Sequence, residues 1–407
     1  MSATTTFEYK VRDSAGATKT GKLAATDQRV VASKLREMGF TPISINEVKT
    51  SGLQKEITIP GFGDKVGLKE LALFSRQFAT MINAGLTLIR ALNVLAMQTD
   101  NKRMAEIIKS VRGDVERGSS LSASMAQHDE FPKLYIAMVK AGETAGILDS
   151  VLLRIADTLE KDVELRRKIK SAMTYPVVVL ILAVLLTTVM LVFIVPVFVG
   201  MFETLGGELP LPTKVLMALS TIVRKTWFVL IFAPIAMWKL FTHARKHPDV
   251  RFRLDQAKLK VPVFGLLFHK VALSRFARTL GSMLQAGVPI LQSLEITADT
   301  VNNGVLSNAL HDVKLSVKDG DSVAGPLAQH EVFPPMTVQM IGVGEETGAI
   351  DDMLEKIAEF YDQEIEALTE SLTAMLEPLM IAVLGGIVGS MVIALYMPMF
   401  KIFELIE

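Results

Sequence analysis

The chain has no cysteine, only two tryptophans and six histidines among its 407 residues, and a formal net charge of zero. Without cysteine there is no disulfide, no thiolate nucleophile and no Cys-ligated zinc. The histidines, at positions 128, 243, 247, 269, 311 and 330, show no metal-ligand spacing. With 43 basic and 43 acidic side chains, the overall basicity of a nucleic-acid binder is missing, so no nucleic-acid partner is expected. The opening MSATTTFEYKVRD lacks the apolar core of a secretory signal, so the first soluble part is expected to stay in the cytoplasm.

What the chain does have is long apolar runs. Val177–Val199 holds 23 residues without a charge, 18 of them Leu, Ile, Val or Phe. At ~1.5 Å per residue it measures ~35 Å, enough to cross a bilayer core of ~30 Å. Leu379–Met399 is a second clear run. Trp227–Phe241 is weaker: it covers only ~22 Å, so residues before Arg224-Lys225 must contribute or those cations must snorkel.

Sliding the chain against itself by 202 positions, without a gap, superposes the rest. Phe74, Arg76, Met81, Gly85 and Leu92 meet Phe276, Arg278, Met283, Gly287 and Leu294. Gly118, Ser120, His128, Phe131 and Pro132 meet Gly320, Ser322, His330, Phe333 and Pro334. Gly142, Glu143, Gly146 and Asp149 meet Gly344, Glu345, Gly348 and Asp351, and Pro176 and Pro196 meet Pro378 and Pro398. The repeated unit is a helical bundle followed by a span. For both bundles to face one side, the chain must recross between them, which requires the weak segment to be a span. The cations Arg166, Arg167, Lys168 and Lys170 before the first span, and Arg245, Lys246, Arg251 and Arg253 after the second, agree with bundles inside.

The expected fold is therefore mostly α: an integral membrane protein with two repeated cytoplasmic six-helix bundles, three transmembrane helices and a small N-terminal α/β unit. The α/β unit occupies 1–50, with alternating Phe7, Tyr9 and Val11, a turn at Ser14–Gly16, a return strand Lys19–Leu23, a helix from an N-cap at Thr26 to Gly39, and an extended run from Ile43. A Gly-rich linker covers 51–67 and the first bundle 68–170. Spans are expected at 171–200, 214–241 and 373–400, a periplasmic loop at 201–213, the second bundle at 242–372 and a short periplasmic tail at 401–407. The last helix of the first bundle, from near Leu148, should run unbroken into the first span.

Several motifs point to chemistry but fit plainer roles. Gly16–Lys22 imitates a phosphate loop, yet Leu23 stands where Ser or Thr must bind magnesium. Gly61-Phe-Gly-Asp64 imitates an intramembrane aspartyl protease, but no span contains an Asp. His128 and His330 each precede a Phe-Pro turn and read as local contacts. Gly142–Gly146 and Gly344–Gly348 are expected to be Gly-flanked loops, with Asp149 and Asp351 favourable in the helix turns that follow. Glu143 and Glu345 are the only, and weak, metal candidates, and the same loops could dock a basic partner. No catalytic residue and no cofactor site is identified. Gly385, Gly386 and Gly389 permit close helix approach in the membrane, within the chain or between copies. Charge divides the bundles: residues 67–170 carry 16 basic and 13 acidic side chains, residues 279–372 three basic and 16 acidic. The acidic bundle is thus suited to a basic partner.

Lys168–Pro176, closing with Ile194-Val195-Pro196, resembles the membrane signature of the type II secretion F family, with Lys168, Tyr175, Pro176 and Pro196 as its marks. The resemblance spans nearly the whole chain, although Glu377 replaces the Tyr175 equivalent in the second copy. It implies a non-enzymatic platform in the bacterial inner membrane, N-terminus cytoplasmic and C-terminus periplasmic, serving type IV pilus assembly or a type II secretion pseudopilus. Its implied partners are hexameric assembly and retraction ATPases, pilin or pseudopilin subunits, inner-membrane alignment proteins of the same machine, the lipid bilayer and further copies of itself as a dimer or larger oligomer. A transporter built on a parallel repeat is the alternative from another class. The near absence of ionisable residues in the spans argues against it.

Overall fold

The computed structural model describes residues 5–12, 18–25, 27–47, 65–203, 210–244, 248–262 and 264–406. It divides into two compact units, Met1–Lys65 and Val66–Glu407.

In the first unit, β1 (Thr5–Arg12) pairs antiparallel with β2 (Thr18–Ala25) on one side. On its other side it pairs with β3 (Thr41–Glu47), giving the order β2-β1-β3. Alternation sends Phe7 and Val11 to the face covered by α1 (Gln28–Glu37), where Val31 and Leu35 are fully buried. The helix is preceded by Asp27, whose side chain makes no capping bond, and Gly39 follows it at φ +80°. The expected Thr26 cap, the Ser14–Gly16 turn and most of the linker, including Asp64, lie outside the described residues. Thr18–Lys22 of the imitation phosphate loop is strand, with Gly21 opposite Tyr9.

The second unit is the duplication. Its first copy comprises α2 (Leu68–Asn83), α3 (Leu88–Gln98), α4 (Lys102–Glu116), α5 (Leu121–Met125), α6 (Lys133–Ala145) and the 42-residue α7 (Leu148–Val189). A π-helical turn at Met190–Ile194 joins α7 to α8 (Val195–Glu203). Next come α9 (Leu211–Lys225), α10 (Trp227–Ala244) and α11 (Pro248–Lys260). The second copy repeats six helices: α12 (Phe264–Gln285), α13 (Ile290–Thr300), α14 (Gly304–Lys318), α15 (Ala324–Ala328), α16 (Pro335–Thr347) and α17 (Ile350–Ile406), the last 57 residues long. The segment expected as one helix at 214–241 is two, broken at Thr226 between the cations ending α9 and Trp227.

Sequence identity at the 202-residue offset becomes identity of role. Asn101 and Asn303 each accept a backbone N–H of the helix they precede. Gly146 and Gly348 close α6 and α16 at φ +71° and +73°, a conformation that a Cβ opposes. Phe74 packs on Phe131 as Phe276 packs on Phe333. The buried phenols break the pattern in a compensated way. Tyr135 of α6 reaches Ser75 of α2 at 3.3 Å, whereas in the second copy Thr337 stands at the Tyr135 position and meets Tyr361 of α17 at 2.8 Å. Each core keeps one buried phenol, and each phenol keeps a partner.

Among the described residues two helices are long and apolar enough to cross a membrane, Leu148–Phe198 and Ile350–Pro398. In the most apolar stretch of each, few side chains are buried by the chain itself, with Leu180 60% and Ile381 66% exposed, as lipid-facing residues would be.

The repeat is closely packed where α6 and α16 meet the helices that follow. A Cβ at Gly142 would lie 3.0 Å from the Val151 side chain, but at Gly344 it would lie 2.7 Å from the Ile350 backbone. Gly344→Ala should therefore destabilise the protein by about 1–3 kcal/mol and Gly142→Ala by less, because a side chain gives way more readily than backbone. Unfolding in detergent, followed by helical circular dichroism, checks the ranking.

Candidate functional site

Three sets of polar contacts carry the repeat-matched and membrane residues. The first corrects an expectation. Gly142–Ala145 and Gly344–Thr347 are the last turns of α6 and α16, not loops; only Gly146 and Gly348 lie beyond the helix. The Glu143 carboxylate accepts the backbone amides of Leu121 and of Ser122 (3.0 Å), and Glu345 accepts those of Val323 (2.6 Å) and Ala324 (3.1 Å). Each glutamate thus caps the short helix just before its own, α5 or α15, where free N–H groups favour a negative charge. Glycine at 142 and 344 lets the next helix approach; glutamate beside it ties the bundle back. No group of three or more His, Asp or Glu able to hold a metal exists among the described residues.

The second set is the seam between the copies. Lys133 pairs with Asp299 at 2.8 Å, Lys161 with Glu355 at 4.0 Å, and Lys168 with Glu366 at 3.0 Å. Thr158 and Ser282 share a hydrogen bond of 3.0 Å, and Arg154 donates to Gln285. Between Arg275 and Asp162, at 3.3 Å, the sense is reversed, with the cation on the second copy. Part of the acidic bundle's charge therefore already faces a basic partner, which is the first bundle. The seam encloses a cleft of about 310 Å³ flanked by Arg154, Lys161, Arg278 and Glu355. Beside it, Arg76 donates to Glu160 at 2.8 and 2.6 Å, holding that carboxyl below its ordinary 4.5. The bond to Glu366 raises Lys168 above its ordinary 10.5.

The third set lies in the membrane part. Leu191, Val195, Met391, Ala394 and Leu395 of the two spans bury Leu216 of α9 between them. Proline has no N–H, so Pro398 leaves the Ala394 carbonyl without its helical partner. Thr213 Oγ1 donates to that carbonyl at 2.6 Å. In the first span the Val195 amide turns back to Met190 through the π-turn, so the acceptor that loses its partner to Pro196 is Leu191. Ser220 Oγ donates to it at 2.5 Å. One face of α9, through Thr213, Leu216 and Ser220, thus satisfies the carbonyls vacated by Pro196 and Pro398.

The other marked residues are scattered. Pro176 is buried within α7, Tyr175 is half exposed at 52%, and Lys168 belongs to the seam. Gly385, Gly386 and Gly389 have nothing among the described residues within 4 Å of a Cβ built on them, so they pack against no described helix of the same chain. His128 and His330 make the expected backbone turns, with the Phe131 and Phe333 amides donating to their carbonyls. Thr213 and Ser220 were missed in the sequence. Their spacing of seven, on one helix face opposite two prolines of the repeat, is the signal that could have found them.

The family model described as type II secretion system (T2SS), protein F matches the chain twice, over residues 74–196 and 276–398. The model for the N-terminal domain of type II secretion system protein F matches residues 2–46. A type IV pilus assembly protein PilC from Thermus thermophilus is 45% identical over 97% of this chain and 98% of its own. The protein of the same name from Myxococcus xanthus is 42% identical over 98% and 95%. A type II secretion system protein F from Vibrio cholerae is 32% identical over 98% and 99%.

Thr213→Val should cost about 0.5–2 kcal/mol by leaving the Ala394 carbonyl unsatisfied. Adding Pro398→Ala should recover most of that loss, since the new backbone N–H takes over the acceptor. A double-mutant cycle of unfolding free energies in mixed micelles measures the coupling.

Proposed function

Because the chain belongs to the type II secretion system protein F family, we propose that it is a non-enzymatic inner-membrane platform of type IV pilus assembly. It would couple cytoplasmic assembly and retraction ATPases to the insertion or removal of pilin subunits. The observation that carries the reading is continuity: each bundle's last helix, α7 or α17, is also its span, with no loop in which a displacement would be lost. A helix is stiff along its axis, so force applied to a bundle reaches the bilayer. The relatives named for pilus assembly, at 42 and 45% identity, favour the pilus over the secretion pseudopilus, since the F protein of Vibrio cholerae stands at 32%.

In this reading both bundles are cytoplasmic, and α9 with α10 recrosses the membrane between them. Together they run from Leu211 to Ala244, ~50 Å if roughly collinear. The open Gly385–Gly389 face leaves surface for a second copy. The bundle surfaces away from the seam are where the ATPases and the alignment proteins of the machine would dock, and no cofactor is required. The transporter reading has less support, because the described residues of the two clear spans include no buried ionisable side chain.

Inserting a flexible Gly-Ser segment after Lys168 tests the coupling. Piliation should be lost while ATPase co-purification persists. Normal piliation in that variant would refute force transmission through α7.

A further inference from the structure

We propose that the corner between α11 and α12 anchors the second bundle to the membrane surface, with Val261, Leu266 and Phe268 among the lipid headgroups and Lys260 on an anionic phospholipid. The level of the corner is fixed by the antiparallel register of α12 along α17. Descending α12, Gly281 lies against Leu354, Ser274 donates to Asp362 at 2.7 Å, and Lys270 donates to Glu364. At the foot, Phe264 and Leu267 join Ile365, Leu368 and Leu372. The register against α7 runs the same way, from Thr158 on Ser282 through Asp162 on Arg275 to the cluster that holds Leu165 and Ile169. Phe264 therefore stands about level with Leu372 and Ile169. Glu377 is five residues beyond Leu372, ~8 Å, and the third span then carries no charge until Lys401. Each headgroup layer is itself ~5–8 Å deep, so the foot of α12 reaches it.

The surface of α12 changes character at this level. Val261, Leu266 and Phe268 are 43, 50 and 44% exposed, whereas beyond Phe268 α12 leaves no large apolar side chain exposed. A helical side chain leans toward the N-terminus of its own helix, which for α12 is the membrane end. Leu266 and Phe268 thus point down into the layer that Phe264 marks. The last turn of α11 is held at the same place. A Cβ on Gly265 would lie 2.3 Å from the Leu259 carbonyl oxygen, so only glycine admits the crossing. Lys260, one residue on, is exposed and has no ion-pair or hydrogen-bond partner among the described residues.

Charge and the repeat both favour lipid as the cover. Residues 256–294 contain no Asp or Glu, and the other lysines near the foot are paired within the chain, Lys258 with Asp255 at 2.6 Å and Lys270 with Glu364. Helical residues turn by ~100° each, which puts Glu370 and Glu377 on faces of α17 away from Ile365, Leu368 and Leu372. Lys260 is left for a headgroup phosphate, with apolar side chains beside it, as an interfacial anchor requires. At the 202-residue offset Pro60, Phe62 and Gly63 match Pro262, Phe264 and Gly265, but Thr58 and Asp64 stand where Lys260 and Leu266 do. The repeat thus keeps the proline and the glycine, while the cation and the exposed leucine are particular to the second copy, as a surface function rather than a packing requirement would have them. The second bundle then meets the bilayer at two points, α17 and this corner, and does not pivot freely on its span.

The test uses the full chain, otherwise free of cysteine, with bimane attached in the variants L186C, L266C, F268C and L315C. Each is placed in phosphatidylcholine nanodiscs containing a small fraction of phosphatidylglycerol or phosphatidylcholine that carries a nitroxide near its headgroup. Labels at 266 and 268 should be quenched, and the label at 315, toward the end of the bundle where Glu345 caps α15, should not. At equal mole fraction the phosphatidylglycerol probe should quench the label at 266 about two- to fivefold more than the phosphatidylcholine probe. K260Q should remove that difference and leave the quenching itself. Quenching at 266 and 268 no greater than at 315 overturns the proposal, as does equal quenching by the two probes or a difference that survives in K260Q. The label at 186, inside the first span, separates two causes of failure. Quenching there by a nitroxide deep in the acyl chains, with none at 266 and 268, sinks this inference alone. No quenching at 186 sinks the membrane placement of α7, on which the platform reading also rests.

Discussion

A carbonyl without its amide has to find a donor inside the bilayer, and this requirement organises the membrane part. In hydrocarbon no water repairs the loss, and an unsatisfied backbone group costs roughly several kcal/mol. Pro196 and Pro398 create the need at matching points of the duplicated spans. The donors, Ser220 and Thr213, are not duplicated; both stand on the single helix α9. An element that occurs once therefore bridges two elements that occur twice. It also explains the π-turn at Met190–Ile194, which passes the vacancy from Val192 to Leu191, the acceptor in contact with Ser220.

Outside the membrane the two bundles are dry within, and the seam between them is partly apolar and partly ionic. Each interior is a continuous apolar cluster, with Phe78, Leu92 and Met138 fully buried in the first and Phe276, Leu294 and Leu310 in the second. At the seam Met283, Ala286, Val288 and Ile296 of the second copy are buried in the first copy's apolar cluster, beside the ion pairs and the cleft. Ion pairs of this exposure contribute little stability and are screened by salt.

Much of this was legible in the sequence. The 202-residue offset was visible from matched residues alone, and it carries most helix boundaries of the first copy onto the second, α3 onto α13, α4 onto α14 and α6 onto α16, since a gapless repeat preserves caps and turns along with hydrophobic faces. The continuous α7 was visible in the absence of any breaker between Leu148 and Lys170. The loops expected at Gly142 and Gly344 were misread, because glycine signals both chain reversal and close helix approach, and only the tertiary neighbours Val151 and Ile350 distinguish the two. The cross-seam pairs could not be read at all. Lys133 and Asp299, 166 positions apart, are brought together by docking of the copies, which no local pattern encodes. Thr213 and Ser220 took their meaning only from the vacated carbonyls opposite them.

The central claim is that two copies of one module stand on the same side of a membrane. The absence of cysteine makes a direct measurement possible. Single cysteines are placed at Ser119, Leu211 and Asp321, and intact cells stripped of their outer membrane are treated with a membrane-impermeant maleimide. The account predicts labelling at position 211 alone, with 119 and 321 reacting only after the membrane is opened. Labelling of 119 or 321 from outside in intact cells, or of one without the other after opening, would contradict it.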